Sequence, residues 1–104
     1  MASHELKTLS IHFASIANNL KKFELRKNDR NFQSGDTLYL CEYYPDPDKF
    51  SGNIIIVNVL HILYPPLDGL QSGYCLMSLG TPILTSTVVY SVIKANSPCI
   101  FVKN

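Results

Sequence analysis

The sequence feature that most constrains the fold is a succession of apolar, β-branched and aromatic segments that turn residues separate. We predict strands over residues 37–44, 53–63, 74–79, 83–93 and 99–102. Clusters of Pro, Gly, Asn and Asp lie between these segments, and none of the intervals has helical periodicity. Because parallel α/β sheets need a helix between successive strands, the pattern favours a mainly β (α+β) fold, built as a small and mainly antiparallel β-barrel.

One helix is predicted near the N-terminus, packed against the barrel. Its apolar stripe has the spacing of a single helical face and consists of Phe13, Ile16, Ala17 and Leu20. Ser10 is the predicted N-cap, since its hydroxyl can accept a hydrogen bond from a first-turn N–H. Asn18 and Asn19 are predicted to end the helix, because Asn tolerates the left-handed conformation. The predicted helix covers residues 11–18.

The periodicity then changes from helical to alternating. Phe23 and Leu25 fall on one face of a short predicted strand, and Lys22, Glu24 and Arg26 fall on the other. We expect the apolar pair to face the core and the three charged residues to face solvent.

Composition sets limits on the class of protein. The chain has 104 residues, of which 46% are hydrophobic and 16% are charged, which is typical of one folded domain. The net charge of +1 excludes a uniformly basic nucleic-acid-binding protein but allows a local basic patch. No apolar stretch reaches the roughly 20 residues that span a bilayer, and the N-terminus lacks a signal-peptide pattern. We therefore expect a cytoplasmic protein with no membrane partner.

Cysteine and histidine spacing gives no support for a metal centre or a cofactor. The three cysteines, Cys41, Cys75 and Cys99, lie far apart, and no CxxC pair occurs. We interpret them as small buried apolar residues. The three histidines lack metal-ligand spacing. GxSxG, P-loop, HExxH and GxGxxG motifs are also missing from the sequence, so the sequence predicts neither a metal nor a cofactor.

Basic residues concentrate in one short segment, which we call the basic run. It contains Lys21, Lys22, Arg26, Lys27 and Arg30, against the acidic Glu24 and Asp29. Lys supplies a point charge for phosphate and Arg a bidentate fork, and aromatic residues that could stack on bases follow at Phe32, Tyr39, Tyr43 and Tyr44. The candidate contacts to RNA or to a nucleotide are Lys21, Arg26, Lys27, Asn28, Arg30 and Tyr43. A run of charges is more often simply a solvated surface, and that interpretation stays open.

Glu24 admits two interpretations. A carboxylate beside cations can serve as a general base, or it can form an ordinary ion pair with them. Base rates for surface charges favour the ion pair.

Several segments of the sequence resemble one known family. They are HELK at residues 4–7, KKFELRKNDR at residues 21–30, Phe32, Gly35-Asp36, Glu42-Tyr43, FSG at residues 50–52, HIL at residues 61–63, Gly69-Leu70 and GYCL at residues 73–76. Together they resemble the domain of unknown function DUF3850, which belongs to the ASCH superfamily of PUA-like domains. The resemblance covers about residues 4–79, and the part from Phe23 to Arg30 is the most specific.

The resemblance implies a PUA-like β-barrel with one or two flanking helices and an RNA-binding role. The superfamily pattern G-x-K-x-x-E/T-x-R maps onto Asn19, Lys21, Glu24 and Arg26, with Asn in place of the usual Gly. Some ASCH proteins are amidohydrolases that act on N4-acylated cytidine, and these carry Thr at the position of Glu24. We expect residues 1–79 to form the PUA-like domain. Residues 80–104 would then be a β extension, added as a hairpin or used for homodimerisation.

Three hypotheses follow. The first is a binding module that presents the basic run to RNA or to a nucleotide. The second is an amidohydrolase on an acylated cytidine-type nucleoside, with Lys21 as nucleophile or base and Glu24 as proton shuttle. The third is a structural or regulatory partner protein without a ligand. The deciding observation is whether Lys21, Glu24 and Arg26 converge in one concave pocket. A cleft open along one side would favour an oligonucleotide, and a closed pocket of nucleoside size would favour the enzyme.

Overall fold

The computed structural model describes residues 1–89. Its elements are β1 (Ser3–Leu9), α1 (Ser10–Ala17), β2 (Phe23–Lys27), β3 (Thr37–Tyr44), β4 (Lys49–Leu63), β5 (Tyr74–Leu79) and β6 (Ile83–Ser86). The predicted mainly β fold is confirmed. No helix within residues 1–89 is long and apolar enough to cross a membrane.

The strands form one six-stranded sheet in the order β1-β3-β4-β5-β2, with β6 paired to β4. β1 runs parallel to β3, and the other neighbours are antiparallel. Within the described residues, β1 and β2 end the order and do not pair with each other. The predicted closed or nearly closed barrel is therefore wrong in this respect: the sheet stays open between β1 and β2.

Strand β4 connects the two halves of the sheet. Its first part pairs with β3 as far as Asn58, and its last part pairs with β5 from Val59 onward. The register shifts between Val59 and His61, where β4 passes from one partner to the other. The strand also begins at Lys49, earlier than the predicted residue 53, because Lys49 continues the ladder opposite Tyr44.

The end of the described chain departs from the predicted strand over residues 83–93. β6 ends at Ser86, and residues 87–89 are helical. The Ser86 hydroxyl accepts a hydrogen bond from the Val89 N–H at 3.4 Å, which is the geometry of a helix start. The rest of that predicted strand, the predicted strand over 99–102 and the hairpin or dimer interface that they would form lie outside the described residues.

Helix α1 covers the core through Phe13 and Ile16, which are buried. The predicted stripe is wrong at its other two positions, since Ala17 and Leu20 are exposed. Leu20 lies beyond the end of the helix, where helical spacing no longer applies. The predicted stop is confirmed, because Asn18 is the C-cap and Asn19 adopts a left-handed φ of 62°.

Ser10 does not cap the helix as predicted. The N-cap is Leu9, and the Ser10 hydroxyl instead donates to the Glu42 carboxylate at 2.8 Å. Glu42 is buried and also accepts hydrogen bonds from Ser51 and Asn53 on β4. Burial alone would raise the pKa of Glu42, but these bonds lower it below its ordinary value. The carboxylate thus ties the start of α1 to β3 and β4.

The sequence interpretation missed strand β1. Leu6 and Thr8 are buried on its inner face, and Asp36 fixes its beginning. The Asp36 carboxylate accepts hydrogen bonds from the Ala2 N–H at 2.9 Å and the Gln33 N–H at 2.9 Å, and it lies 2.8 Å from His4 Nε2. Burial alone would raise the pKa of Asp36, but the bonds from Ala2, His4 and Gln33 lower it.

We predict that Asp36→Asn lowers the free energy of unfolding by about 1–3 kcal/mol at pH 7, because buried partners lose a charged acceptor. Urea denaturation measures the loss, with the exposed Asp68→Asn as control. The folded pKa of Asp36 is depressed, so its contribution is present above its ordinary value of 3.8 and disappears as pH falls through the folded value. Wild type should therefore lose stability below pH 4 more steeply than the variant, and parallel acid profiles would contradict this role.

Candidate functional site

A cleft of about 600 Å³ occupies the gap between β1 and β2. Its charged lining residues are Lys7, Lys21, Glu24, Arg26, Lys27, Asp29 and Arg30, and its aromatic ones are His12, Phe23, Phe32 and Tyr74. The cleft lies where the sheet fails to close, so both walls are the terminal strands of the sheet. Four of the five members of the basic run therefore line a concave surface, namely Lys21, Arg26, Lys27 and Arg30, whereas Lys22 does not.

A three-membered ion-pair chain lies within this cleft. Lys21 Nζ donates to Glu24 Oε1 at 2.8 Å, and Arg26 Nε donates to Glu24 Oε2 at 2.7 Å. The Glu24 side chain is 4% exposed, whereas those of Lys21 and Arg26 are 16% and 24% exposed. The structure thus brings together the three residues singled out in the sequence, with the carboxylate deepest and both cations above it.

The predicted orientation of β2 is wrong. Glu24 is buried, while Phe23 and Leu25 are 49% and 57% exposed. The pairing with β5 explains the reversal, because Glu24 lies opposite Met77 and Arg26 opposite Cys75, and both partners are fully buried. Residues directly opposite each other share a face of a sheet, so Glu24 and Arg26 face inward. Lys22, which precedes the strand, is exposed as predicted.

Two arginines span the gap between the terminal strands. Arg26 Nη2 donates to the Lys7 carbonyl at 3.1 Å and to the Thr8 hydroxyl at 3.2 Å. Arg30 Nη1 donates to the Glu5 carbonyl at 2.8 Å. These side-chain bonds reach β1 at positions where a closed barrel would have strand pairing. Arg26 and Arg30 are therefore structural ties as well as cleft cations.

The other predicted contacts have different surroundings. Lys27 lines the cleft and is exposed. Asn28 is structural, since its Oδ1 accepts a hydrogen bond from the Phe32 N–H at 3.0 Å. Tyr43 is 9% exposed and does not line the cleft; its hydroxyl donates to the Asp48 carboxylate.

The aromatic residues proposed for base stacking are also distributed differently. Phe32 lines the cleft but is 1% exposed, and its ring packs edge-on against His4 with centroids 4.8 Å apart. Tyr39 and Tyr44 lie outside the cleft lining. Phe23 and Tyr74 line it instead, and Phe23 exposes half of its surface. These two rings are the better stacking surfaces.

Sequence reasoning missed the β1 wall of the cleft, which includes Lys7 and Thr8. The alternation of His4, Leu6 and Thr8 with charged or exposed residues was the available signal for a strand. The sequence could not show that β1 lies across the cleft from β2, because three other strands, β3, β4 and β5, connect the two in the sheet.

A family model for a domain of unknown function, DUF3850, matches residues 3–79. The chain belongs to the DUF3850 family. The match begins with β1 and ends with β5, so it includes every residue that lines the cleft. No curated protein matches the chain. β6 follows the matched segment and pairs with β4, so the sheet of this DUF3850 protein extends beyond it.

We predict that Arg26→Ala lowers the free energy of unfolding by about 1–3 kcal/mol. The buried Glu24 carboxylate would lose one of its two cationic partners, and two hydrogen bonds to β1 would also be lost. Lys27→Ala, one residue away and exposed, should stay within about 0.5 kcal/mol of wild type. Urea denaturation of both variants measures the difference, and equal stabilities would contradict a structural role for Arg26.

Proposed function

We propose that this DUF3850 protein is a cytoplasmic RNA- or nucleotide-binding module whose ligand occupies the cleft between β1 and β2. The observation that carries the proposal is the charge of the lining. Four cationic side chains, on Lys21, Arg26, Lys27 and Arg30, line the cleft together with two carboxylates, on Glu24 and Asp29. Anionic phosphates suit such a surface, and the resemblance to ASCH and PUA-like domains agrees with it.

The two carboxylates reduce this positive charge only in part. Lys21 and Arg26 are already paired with the two carboxylate oxygens of Glu24. The cations that remain to contact a ligand are Lys27, which is exposed, and Arg30, which also lines the cleft. The half-exposed Phe23 and the Tyr74 ring add apolar surface near these cations. A nucleic acid would use both features, since its phosphates can pair with the cations and its bases can stack on the rings.

Binding without hydrolysis fits the geometry better than amide hydrolysis. Lys21 and Glu24 bond to each other at 2.8 Å, and Arg26 holds the second carboxylate oxygen. A nucleophilic Lys21 or a proton-shuttling Glu24 would have to leave this chain of bonds to reach a substrate. The amidohydrolase remains the second candidate, because both residues line the cleft as that activity requires.

We predict that Lys27→Gln weakens binding to a single-stranded oligouridylate and reduces the log–log salt slope by about 0.7, the value for one phosphate contact on a single strand. Fluorescence anisotropy at several salt concentrations measures the slope. Lys22→Gln is the matched control, because Lys22 is exposed in the same basic run but does not line the cleft. Equal effects of the two variants would refute the cleft as the binding site, and a salt-independent wild type would refute the function.

The two candidate functions differ in the response to Glu24→Gln. A binding module should show no turnover of N4-acylated cytidine in wild type or variant, and RNA binding should persist in the variant if thermal denaturation shows it folded. An amidohydrolase should turn the nucleoside over and lose roughly 10²- to 10⁴-fold in rate on this substitution. Chromatographic detection of free cytidine distinguishes the outcomes.

A further inference from the structure

Lys7 stands at the boundary between the cleft and the outer face of the sheet. Its carbonyl accepts a hydrogen bond from the Arg26 guanidinium on the cleft side. Its neighbours Leu6 and Thr8 are buried on the inner face of β1, so the exposed Lys7 side chain extends outward. One residue thus belongs to both surfaces, with its backbone in the cleft and its ammonium outside.

The Lys7 ammonium is held in place by an aromatic ring. Its Nζ lies 4.3 Å from the centroid of the Tyr43 ring, which is cation–π geometry. Tyr43 in turn packs against Phe50 with ring centroids 5.1 Å apart, and its hydroxyl bonds to Asp48. With Lys7 over the ring and only 9% of Tyr43 exposed, no face of the ring is left for a base.

The arrangement leaves the ammonium able to bind an anion. A lysine ammonium has three N–H donors, and the face of one ring does not use them all. Among residues 1–89 the ion pairs join Lys21, Arg26 and His4 to carboxylates, and Lys7 is not among them. A positioned cation at the mouth of a phosphate-binding cleft is suited to a second phosphate.

We infer that the ligand is a single-stranded RNA several nucleotides long, which leaves the cleft across β1 and places a backbone phosphate on Lys7. Tyr43 is a positioning residue that holds the ammonium over the outer face. This inference rests on the proposed function and deepens it, because a single nucleotide confined to the cleft would not reach the outer face.

The test compares two probes by fluorescence anisotropy: a labelled twelve-nucleotide oligouridylate, and uridine monophosphate as its competitor. Lys7→Gln should reduce the log–log salt slope of oligonucleotide binding by about 0.7. Between 50 and 200 mM salt, the affinity of the variant for the oligonucleotide should therefore fall about 2.5-fold less than the affinity of wild type falls. Competition by the mononucleotide should not change. Lys22→Gln serves as the matched control and should bind as wild type does.

Tyr43 is tested by ring replacement. Tyr43→Phe keeps the cation–π contact and should bind as wild type does, whereas Tyr43→Leu removes it and should weaken oligonucleotide binding. In the Lys7→Gln background, Tyr43→Leu should have no further effect, because its action passes through Lys7. If Tyr43→Leu does not fold, Lys7→Gln and Tyr43→Phe still decide the question.

The outcomes separate this inference from the proposed function. If wild type binds neither probe, both fail. If Lys27→Gln weakens the oligonucleotide but Lys7→Gln does not, the cleft binds RNA and the path across β1 is wrong. If Lys7→Gln weakens the mononucleotide as strongly as the oligonucleotide, Lys7 belongs to the cleft itself, and the inference of a longer ligand fails.

Discussion

The burial of the Glu24 carboxylate is the constraint on which the cleft depends. A carboxylate that is 4% exposed needs charged partners, because an unpaired buried charge is strongly destabilising. Lys21 and Arg26 provide them, and Arg26 also reaches the backbone of β1. The sheet therefore stays open at this point, with a polar inner wall where a closed barrel would have paired strands. The same residues that complete the fold create the concave cationic surface.

The local structure of several elements could be predicted from the sequence because it depends on local chemistry. The strands over 37–44 and 74–79 have the predicted bounds, since β-branched and aromatic residues fill them and turn residues flank them. The helix is within one residue of its prediction because Asn19 provides a left-handed stop. The inward face of β2 could not be predicted, because alternation defines two faces without saying which one packs. The buried partners Met77 and Cys75 decide that, and they lie about fifty residues away in the chain.

The candidate site was predictable in part for the same reason. The basic run is a local feature, and its members Lys21, Arg26, Lys27 and Arg30 do line one cleft. Asn28 and Tyr43 were assigned to the ligand by proximity in sequence, yet Asn28 bonds to the backbone of its own turn and Tyr43 supports Lys7. The opposite wall required the pairing of β1 with β3, a long-range contact that local pattern does not reveal.

The most direct test of the central claim, that the gap between β1 and β2 is the ligand site, is a two-dimensional ¹H–¹⁵N NMR titration of the full chain with an unlabelled oligouridylate. The account predicts saturable shifts of amides on both walls, including Thr8, Arg26 and Lys27. The turn at residues 45–48, outside the cleft lining, should not shift. Shifts confined to one wall, or centred on that turn, would contradict it.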